Sequence, residues 1–409
     1  MVENINEKWR YEHTETGIKL FGYNEENHNV VIPETIDGKP VEELYFALVS
    51  SDAKSVFIPK TVKEIIMWGY PISLETINVD ENNEWFSSRN GVLYNKDGSI
   101  LVRFPCAKEF NNEYLDGVVE ISPLAFADVK KINSVNFPDS VCKIGADAFN
   151  FCETLKAVTM SDSVAEIGPG AFCGCGLETI TLSKNVHALE VSTYDYEGSG
   201  FFSGCNFREY SVPEHIVKIG GLAFQYNRTL RKVCIPASVN LIEKHAFYGC
   251  EALEEIIVED GNEHYYSKSG VLYSRDGTLL HYPQNKQDET FVLPVDIERI
   301  GTYAFYECKK LRHIILGDNV TEIEFRAFTS SHIESINIPS KVKKIEKDVF
   351  LHTHIRKLYI PQSVQYIEMN SGTAGNINPF GEMVLLVDKD SYAERMCIKH
   401  NLNFRIMNR

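Results

Sequence analysis

Phenylalanine returns along this chain at a nearly fixed interval. Phe126, Phe149, Phe172, Phe202, Phe224, Phe247, Phe305, Phe328, Phe350 and Phe380 stand 23, 23, 30, 22, 23, 58, 23, 22 and 30 residues apart. Most steps are 22 or 23 residues, and the longer ones are that unit plus an insertion. A period in this range marks small units that cannot bury their apolar faces alone and therefore stack on one another. A stack also escapes the size limit that would split 409 residues into two or three globular domains, because each unit touches only its neighbours.

The segment Leu311 to Phe328 (LRHIILGDNVTEIEFRAF) shows the unit, with apolar residues at Leu311, Ile314, Leu316, Val320, Ile323 and Phe328. Its first part alternates with period two and predicts a short strand. Proline often follows at once (Pro59, Pro138, Pro213, Pro236, Pro339, Pro361) and, having no N–H to give a ladder, ends that strand. The V-x-x-I piece then predicts a second extended segment on the returning side. A small residue and Phe (Ala125-Phe126, Ala148-Phe149, Ala304-Phe305) predict a tight turn that packs its ring into the stack. Too few residues remain for a regular helix, so the convex side is expected to be irregular or 3₁₀. About twelve such units are expected.

A second period lies above the first. Phe126 and Phe305, and Phe149 and Phe328, are each 179 residues apart, and Ser88 to Leu101 (SRNGVLYNKDGSIL) matches Ser267 to Leu280 (SKSGVLYSRDGTLL). This implies internal duplication of a block of about six units. Both matched segments carry hairpin chemistry around Asp97-Gly98 and Asp276-Gly277, and the hairpins are expected to protrude from one flank. The expected organisation is an N-terminal cap at 1–40, with a hairpin-like Ile18 to Gly38, and a first repeat block at 41–206 with its hairpin at about 80–110. A second block at 207–387 has its hairpin at about 259–288, and a C-terminal cap fills 388–409. In that cap Ser391 to Glu394 is a capping-box pattern opening a short helix to about His400, before a strand-like Phe404 to Ile406.

The net charge of −16 disfavours nucleic acid and anionic bilayers, which need a basic surface. No run of 18 apolar residues occurs, so membrane insertion is not expected. Met1 to Arg10 lacks the basic-then-apolar pattern of a secretory signal, so either the protein stays inside the cell or a signal has been removed. Phosphate loops, G-x-S-x-G, H-E-x-x-H and dinucleotide fingerprints are absent, so neither an enzyme nor a cofactor is expected.

Leu230 to Pro236 (LRKVCIP), Val141 to Cys152 (VCKIGADAFNFC) and Ile300 to Cys308 (IGTYAFYEC) resemble the repeat of the BspA-like, or Treponema-type, leucine-rich repeat family. Val30 to Val41 and Ser391 to Phe404 are similar to that family's end pieces. The resemblance implies a β-rich, right-handed leucine-rich repeat solenoid. Its parallel strands form the concave sheet, short extended or 3₁₀ segments the convex side, and two hairpin insertions and a capping helix complete it. It also implies a non-enzymatic binder, in many members a bacterial surface or secreted adhesin-like protein whose ligand is a protein or glycan. The alternative is an intracellular scaffold.

Cys152, Cys175, Cys205, Cys250 and Cys308 all fall three residues after the repeat Phe, where other units have Asn227, Ser331 or Thr353. A slot that accepts all four residue types wants a small, partly polar side chain, so buried free thiols are expected rather than disulfides or zinc. His332 and His354, at matching positions of consecutive units, are read as solvated turn residues, and no metal site is expected. Outward strand places carry Arg231-Lys232, Glu254-Glu255, Arg312-His313, Glu334-Ser335 and Arg356-Lys357, alternating in sign from rung to rung. These either pair across strands or form a charged docking surface. Phe57 and Tyr359, facing outward without a pairing role, and Tyr194 and Tyr196 on an insertion loop, complete the candidate binding residues.

Overall fold

The computed structural model describes residues 4–5, 8–23, 27–45, 52–66, 72–189, 200–369 and 380–407. The chain divides into two compact units, Met1–Asn206 and Phe207–Arg409. Each is a β-solenoid, and the turns number about fifteen rather than twelve. The additional turns include those formed by the last hairpin strands, Ile100–Arg103 and Thr278–His281, where Phe104 and Tyr282 take the ring position.

One side of each turn is a parallel ladder. In the first unit Ser134–Asn136 pairs with Ala157–Thr159, and that strand with Thr179–Thr181. The Pro that ends the strand opens a tight turn whose fourth residue is the V of V-x-x-I. Val141 N–H donates to Pro138 O at 3.1 Å, and Val364 N–H to Pro361 O at 3.1 Å. Both valines are buried, so one residue closes the turn and fills the core. A second parallel ladder follows, with Glu120–Ile121 beside Lys143–Ile144 and Lys143–Ile144 beside Glu166–Ile167.

The Ala-Phe turn makes the third side, and of the two expected forms it is the irregular one rather than 3₁₀. Among the described residues the one 3₁₀ segment is Asn112–Leu115, outside these turns. Alternate N–H groups bond locally and to the next turn. Ala125 and Ala127 donate to Ser122 and Leu124 within the turn, whereas Leu124, Phe126 and Asp128 donate to Ala146, Ala148 and Asn150 of the turn above. This alternation puts the residues two before and two after the Phe into the left-handed region. Leu124 and Asp128 have φ of 60° and 61°, and Asp147 and Phe151 have 52° and 56°. Left-handed backbone at two points per turn breaks a continuous 3₁₀ run.

The repeat rings stack face to face. In the first unit Phe104, Phe126, Phe149 and Phe172 follow one another at 5.1, 4.6 and 5.4 Å between centroids. In the second, Tyr282, Phe305, Phe328 and Phe350 follow at 5.2, 5.1 and 5.6 Å. Burying each such ring stabilises by about 1.5–3 kcal/mol, and it is this column that the 23-residue period records.

The hairpins do not protrude. Val92, Leu93 and Tyr94 are buried, as are Val271, Leu272 and Tyr273. Each hairpin is seated by a buried asparagine whose hydrogen-bonding capacity is filled. Asn83 Nδ2 donates to Pro59 O and Val62 O at 2.9 and 3.0 Å, and its Oδ1 accepts from the amides of Trp85 and Phe86. Asn262 does the same with Pro236 O, Val239 O and the amides of His264 and Tyr265. The amides of Ile77 and Ile256 then donate to Gly91 O and Gly270 O at the hairpin tips. The last hairpin strand becomes a rung, since Ile100–Arg103 pairs in parallel with Glu120–Ile121, and Thr278–His281 with Arg299–Ile300.

At the N-terminus the hairpin is Trp9–His13 with Ile18–Tyr23, so it starts earlier than the expected Ile18 to Gly38. At the C-terminus the helix spans Tyr392–Lys399. Ser391 Oγ accepts from Glu394 N–H at 3.1 Å, while the Glu394 carboxylate reaches back to the Asp390 amide at 2.6 Å. The strand Phe404–Met407 closes the sheet against Val384–Asp388.

Candidate binding faces

The outward strand positions place most of the expected residues on three successive parallel sheets of the second unit. Glu209, Lys232 and Glu255 stand in register on adjacent strands, and Lys232 Nζ lies 3.0 Å from Glu255 Oε1. The carboxylate beside Lys232 raises its pKa. Arg231 lies one residue earlier, exposed. Farther on, Arg312 Nε approaches Glu334 Oε1 at 3.8 Å and its guanidinium donates to His332 O at 3.2 Å, while His313 Nδ1 meets Ser335 Oγ at 2.8 Å. Cross-strand pairing therefore accounts for Lys232 and Arg312. Arg356 and Lys357 differ: both side chains are exposed, with no ion-pair partner among the described residues. They line an open depression of about 820 Å³ with Glu334 and His354.

The ladder is not one uninterrupted surface. Glu209–Ser211, Lys232–Ile235 and Glu255–Val258 form one three-stranded sheet, and Thr290–Val292, His313–Ile315 and Ser335–Ile336 another. The hairpin seated on Glu255–Val258 takes the place of a rung, so Arg231 and Lys232 belong to a different sheet from Arg312 and His313. Tyr359 has a partner after all, its hydroxyl donating to Asp388 Oδ2 at 2.6 Å. Phe57 lies half-buried in the first unit, in register between Val31 and Asn78. Tyr194 and Tyr196 lie outside the described residues.

His332 and His354 are not simply solvated. Their rings stack at 4.5 Å, and His332 is half-buried, with burial first and then the neighbouring His354 lowering its pKa. No group of three or more His, Cys, Asp or Glu among the described residues could hold a metal ion. All ten cysteines are free thiols. Four of the repeat-slot thiols donate to the carbonyl of the Phe one turn back, Cys152 to Phe126, Cys175 to Phe149 and Cys250 to Phe224 at 3.0 Å and Cys205 to Phe172 at 3.3 Å, whereas Cys308 faces Tyr282 O at 3.8 Å. Ser331 and Thr353 bond instead to their own turn's Phe328 and Phe350 carbonyls. No helix among the described residues is long and apolar enough to cross a membrane.

Two features escaped the sequence reading. Val292 and Ile315 are cross-strand neighbours at the fifth strand place, yet 62% and 51% exposed, beside His313. The alternation of buried and exposed residues is visible there in the sequence, but aliphatic residues at an outward place look no different from core residues without the ladder register. The second is a cleft of about 280 Å³ beside the hairpin of the second unit. Its signal is the pair Tyr303 and Tyr306, which stands where the first copy has Leu124 and Ala127.

Among curated proteins none matches this chain. Among solved structures, a leucine-rich repeat protein from Eubacterium ventriosum is similar in fold, with 22% identity and a TM-score of 0.51 over 73% of this chain and 76% of that one. A leucine rich cell surface protein from Faecalibacterium prausnitzii aligns at 22% identity and a TM-score of 0.41, covering 93% of this chain and 98% of that one. A leucine-rich repeat protein from Bacteroides ovatus aligns at 19% identity and a TM-score of 0.43, covering 99% of this chain and 100% of that one. The family described as BspA type Leucine rich repeat region matches in six copies, over residues 119–199, 196–270 and 283–378. With more than half its length matched and the ladder, turn and ring column in place, the chain belongs to the BspA type leucine-rich repeat family.

Proposed function

We propose that the chain is a non-enzymatic binder, displayed on or released from a bacterial cell, that holds a protein ligand on the second unit. The strands in question carry Val292 and Ile315 with Arg312 and His313, and the sheet that follows in the chain carries Arg356, Lys357 and Tyr359. The observation that carries this reading is an exposed apolar pair beside His313, in a unit that also carries two exposed cations, Arg356 and Lys357, with no ion-pair partner among the described residues, on a chain of net charge −16. A locally cationic rim on an acidic protein favours an acidic segment of the partner and discriminates against basic ones. A pull-down on matrix proteins and glycans, repeated with Ile315→Glu and with Arg356→Glu/Lys357→Glu, tests it. Retention should fall about tenfold with either variant, and added salt should weaken what remains. Retention unchanged by both variants would remove the face from consideration.

The second reading is an intracellular scaffold, favoured by ten cysteines outside any disulfide, a state that persists most readily in a reducing compartment. Fractionation of the source cells separates the two. Recovery in the cytosol alone would reject display, and recovery in the envelope or medium would reject the scaffold.

A further inference from the structure

The cleft beside the second hairpin has an aromatic wall, a polar wall and an unsatisfied floor, and the ligand face described above uses none of them. Two turns and the hairpin between them enclose it. The aromatic wall is His245, Tyr248, Tyr303 and Tyr306. Tyr248 and Tyr306 stack at 4.5 Å, His245 lies edge-on to Tyr303 at 4.9 Å, and Tyr303 lies edge-on to Tyr306 at 5.4 Å. The polar wall holds two charge pairs. Lys244 Nζ lies 3.5 Å from Glu324 Oε2, which also accepts from Thr302 Oγ1 at 2.8 Å. Arg299 lies 2.7 Å from Asp276, whose other oxygen accepts from Thr278 Oγ1 at 3.0 Å.

His281 also lines the cleft, nine-tenths buried, and its Nε2 has no hydrogen-bond partner among the described residues. A buried polar atom left without a partner is costly and calls for an explanation at its site. The first copy shows what the position otherwise contains. Arg103 pairs with Leu93 as His281 pairs with Leu272, and its guanidinium donates to Leu124 O and Ala127 O of the next turn. The long side chain fills that place in the first copy. Histidine in the second is too short to do so, and a space opens in front of its ring. His245 Nε2, also buried and unpartnered, lines the same space.

We propose that this cleft binds a neutral hexose ring. A sugar offers an apolar C–H face to tyrosine rings and hydroxyls to paired carboxylates and an imidazole. Both carboxylates already have cations, so the site does not demand a charged ligand. At about 280 Å³ the space lies at the small end of ligand pockets, which suits one ring and excludes a peptide strand. The hydroxyl that reaches His281 supplies the partner its Nε2 lacks.

The test uses the full chain with histidines selectively ¹⁵N-labelled, titrated with methyl glycosides of glucose, galactose, mannose and N-acetylglucosamine. At least one glycoside should shift the His281 imidazole signal saturably. Glu324→Gln and Lys244→Met, both at the cleft rim, should weaken that glycoside about tenfold or more while leaving the far-ultraviolet dichroism unchanged. His281→Arg should abolish binding by filling the space as Arg103 does. Retention on immobilised oligosaccharides as well as free glycoside would assign the end of a glycan, and binding of free glycoside alone a soluble sugar. No shift with any glycoside, or binding indifferent to both rim variants, overturns the proposal. Saturable binding of free amino acids or nucleosides in their place overturns it as well.

Discussion

The slot three residues after each repeat Phe shows how one atom's needs choose a residue type. What must sit there is a short side chain with a polar tip that can reach a Phe carbonyl, and thiol, hydroxyl and amide all qualify. Burial raises these thiols, Cys250 to about 12, and the thiolate is the reactive form. In the native protein only exposed Cys142 is expected to react promptly with a thiol reagent, with ten thiols titrating after unfolding. Fewer than ten in denaturant would mean disulfides. His281 makes a second case, since burial lowers its pKa from 6.5 to about 4. The unfolded chain binds that proton first, so the contribution is full above pH 6.5 and is lost as pH falls from 6.5 toward 4. At 1.36 kcal/mol per pKa unit this amounts to about 3 kcal/mol. Denaturant unfolding between pH 7 and 4 should show less loss for His281→Gln than for the native chain, and equal losses would refute the assignment.

Among the elements, the Ala-Phe turn and the seated hairpin are the most demanding. Gly174 has φ of 67°, and a Cβ there would lie 2.6 Å from Cδ1 of Phe151 on the preceding turn. Gly174→Ala is therefore expected to cost about 1–3 kcal/mol in a denaturant titration. An unchanged midpoint would show that the turn relaxes. Asn262→Leu strands two carbonyls and two amides at once. It should cost at least about 3 kcal/mol and release the hairpin to proteolysis, whereas a protease-resistant variant would locate the anchor elsewhere. The ring column and the Pro-x-x-Val turn were legible in the sequence because each depends on residues a few places apart and recurs. Asn83 and Asn262 were not, because their partners lie 21 to 26 residues away in the preceding turn. The left-handed pair was hidden for another reason: leucine, tyrosine and histidine occupy positions whose backbone is set by the ladder rather than by their own preference. For the cleft, His281 means little until Arg103 is seen filling the matching place.

Across the molecule, stability is a sum of neighbour contacts, so damage should be local and graded with distance. Phe305→Ala removes a ring between Tyr282 and Phe328 and should cost about 3–5 kcal/mol. Hydrogen exchange should then show the amides of Ala304 and Phe328 losing protection well before those of Val384–Asp388. Uniform loss throughout Phe207–Arg409 would mean that this unit unfolds as one cooperative body.

Because the Phe amides of the turns at Phe126, Phe149, Phe224 and Phe305 each meet the equivalent alanine carbonyl of the next turn, turns of this kind can accept one another as mates. Excising the 23 residues from Leu124 to Ala146, or copying them in tandem, leaves each flank facing the same docking edge. Genes for such a protein can therefore lengthen or shorten by recombination without inventing a new core, and reach becomes a trait that selection adjusts separately from what the protein grips.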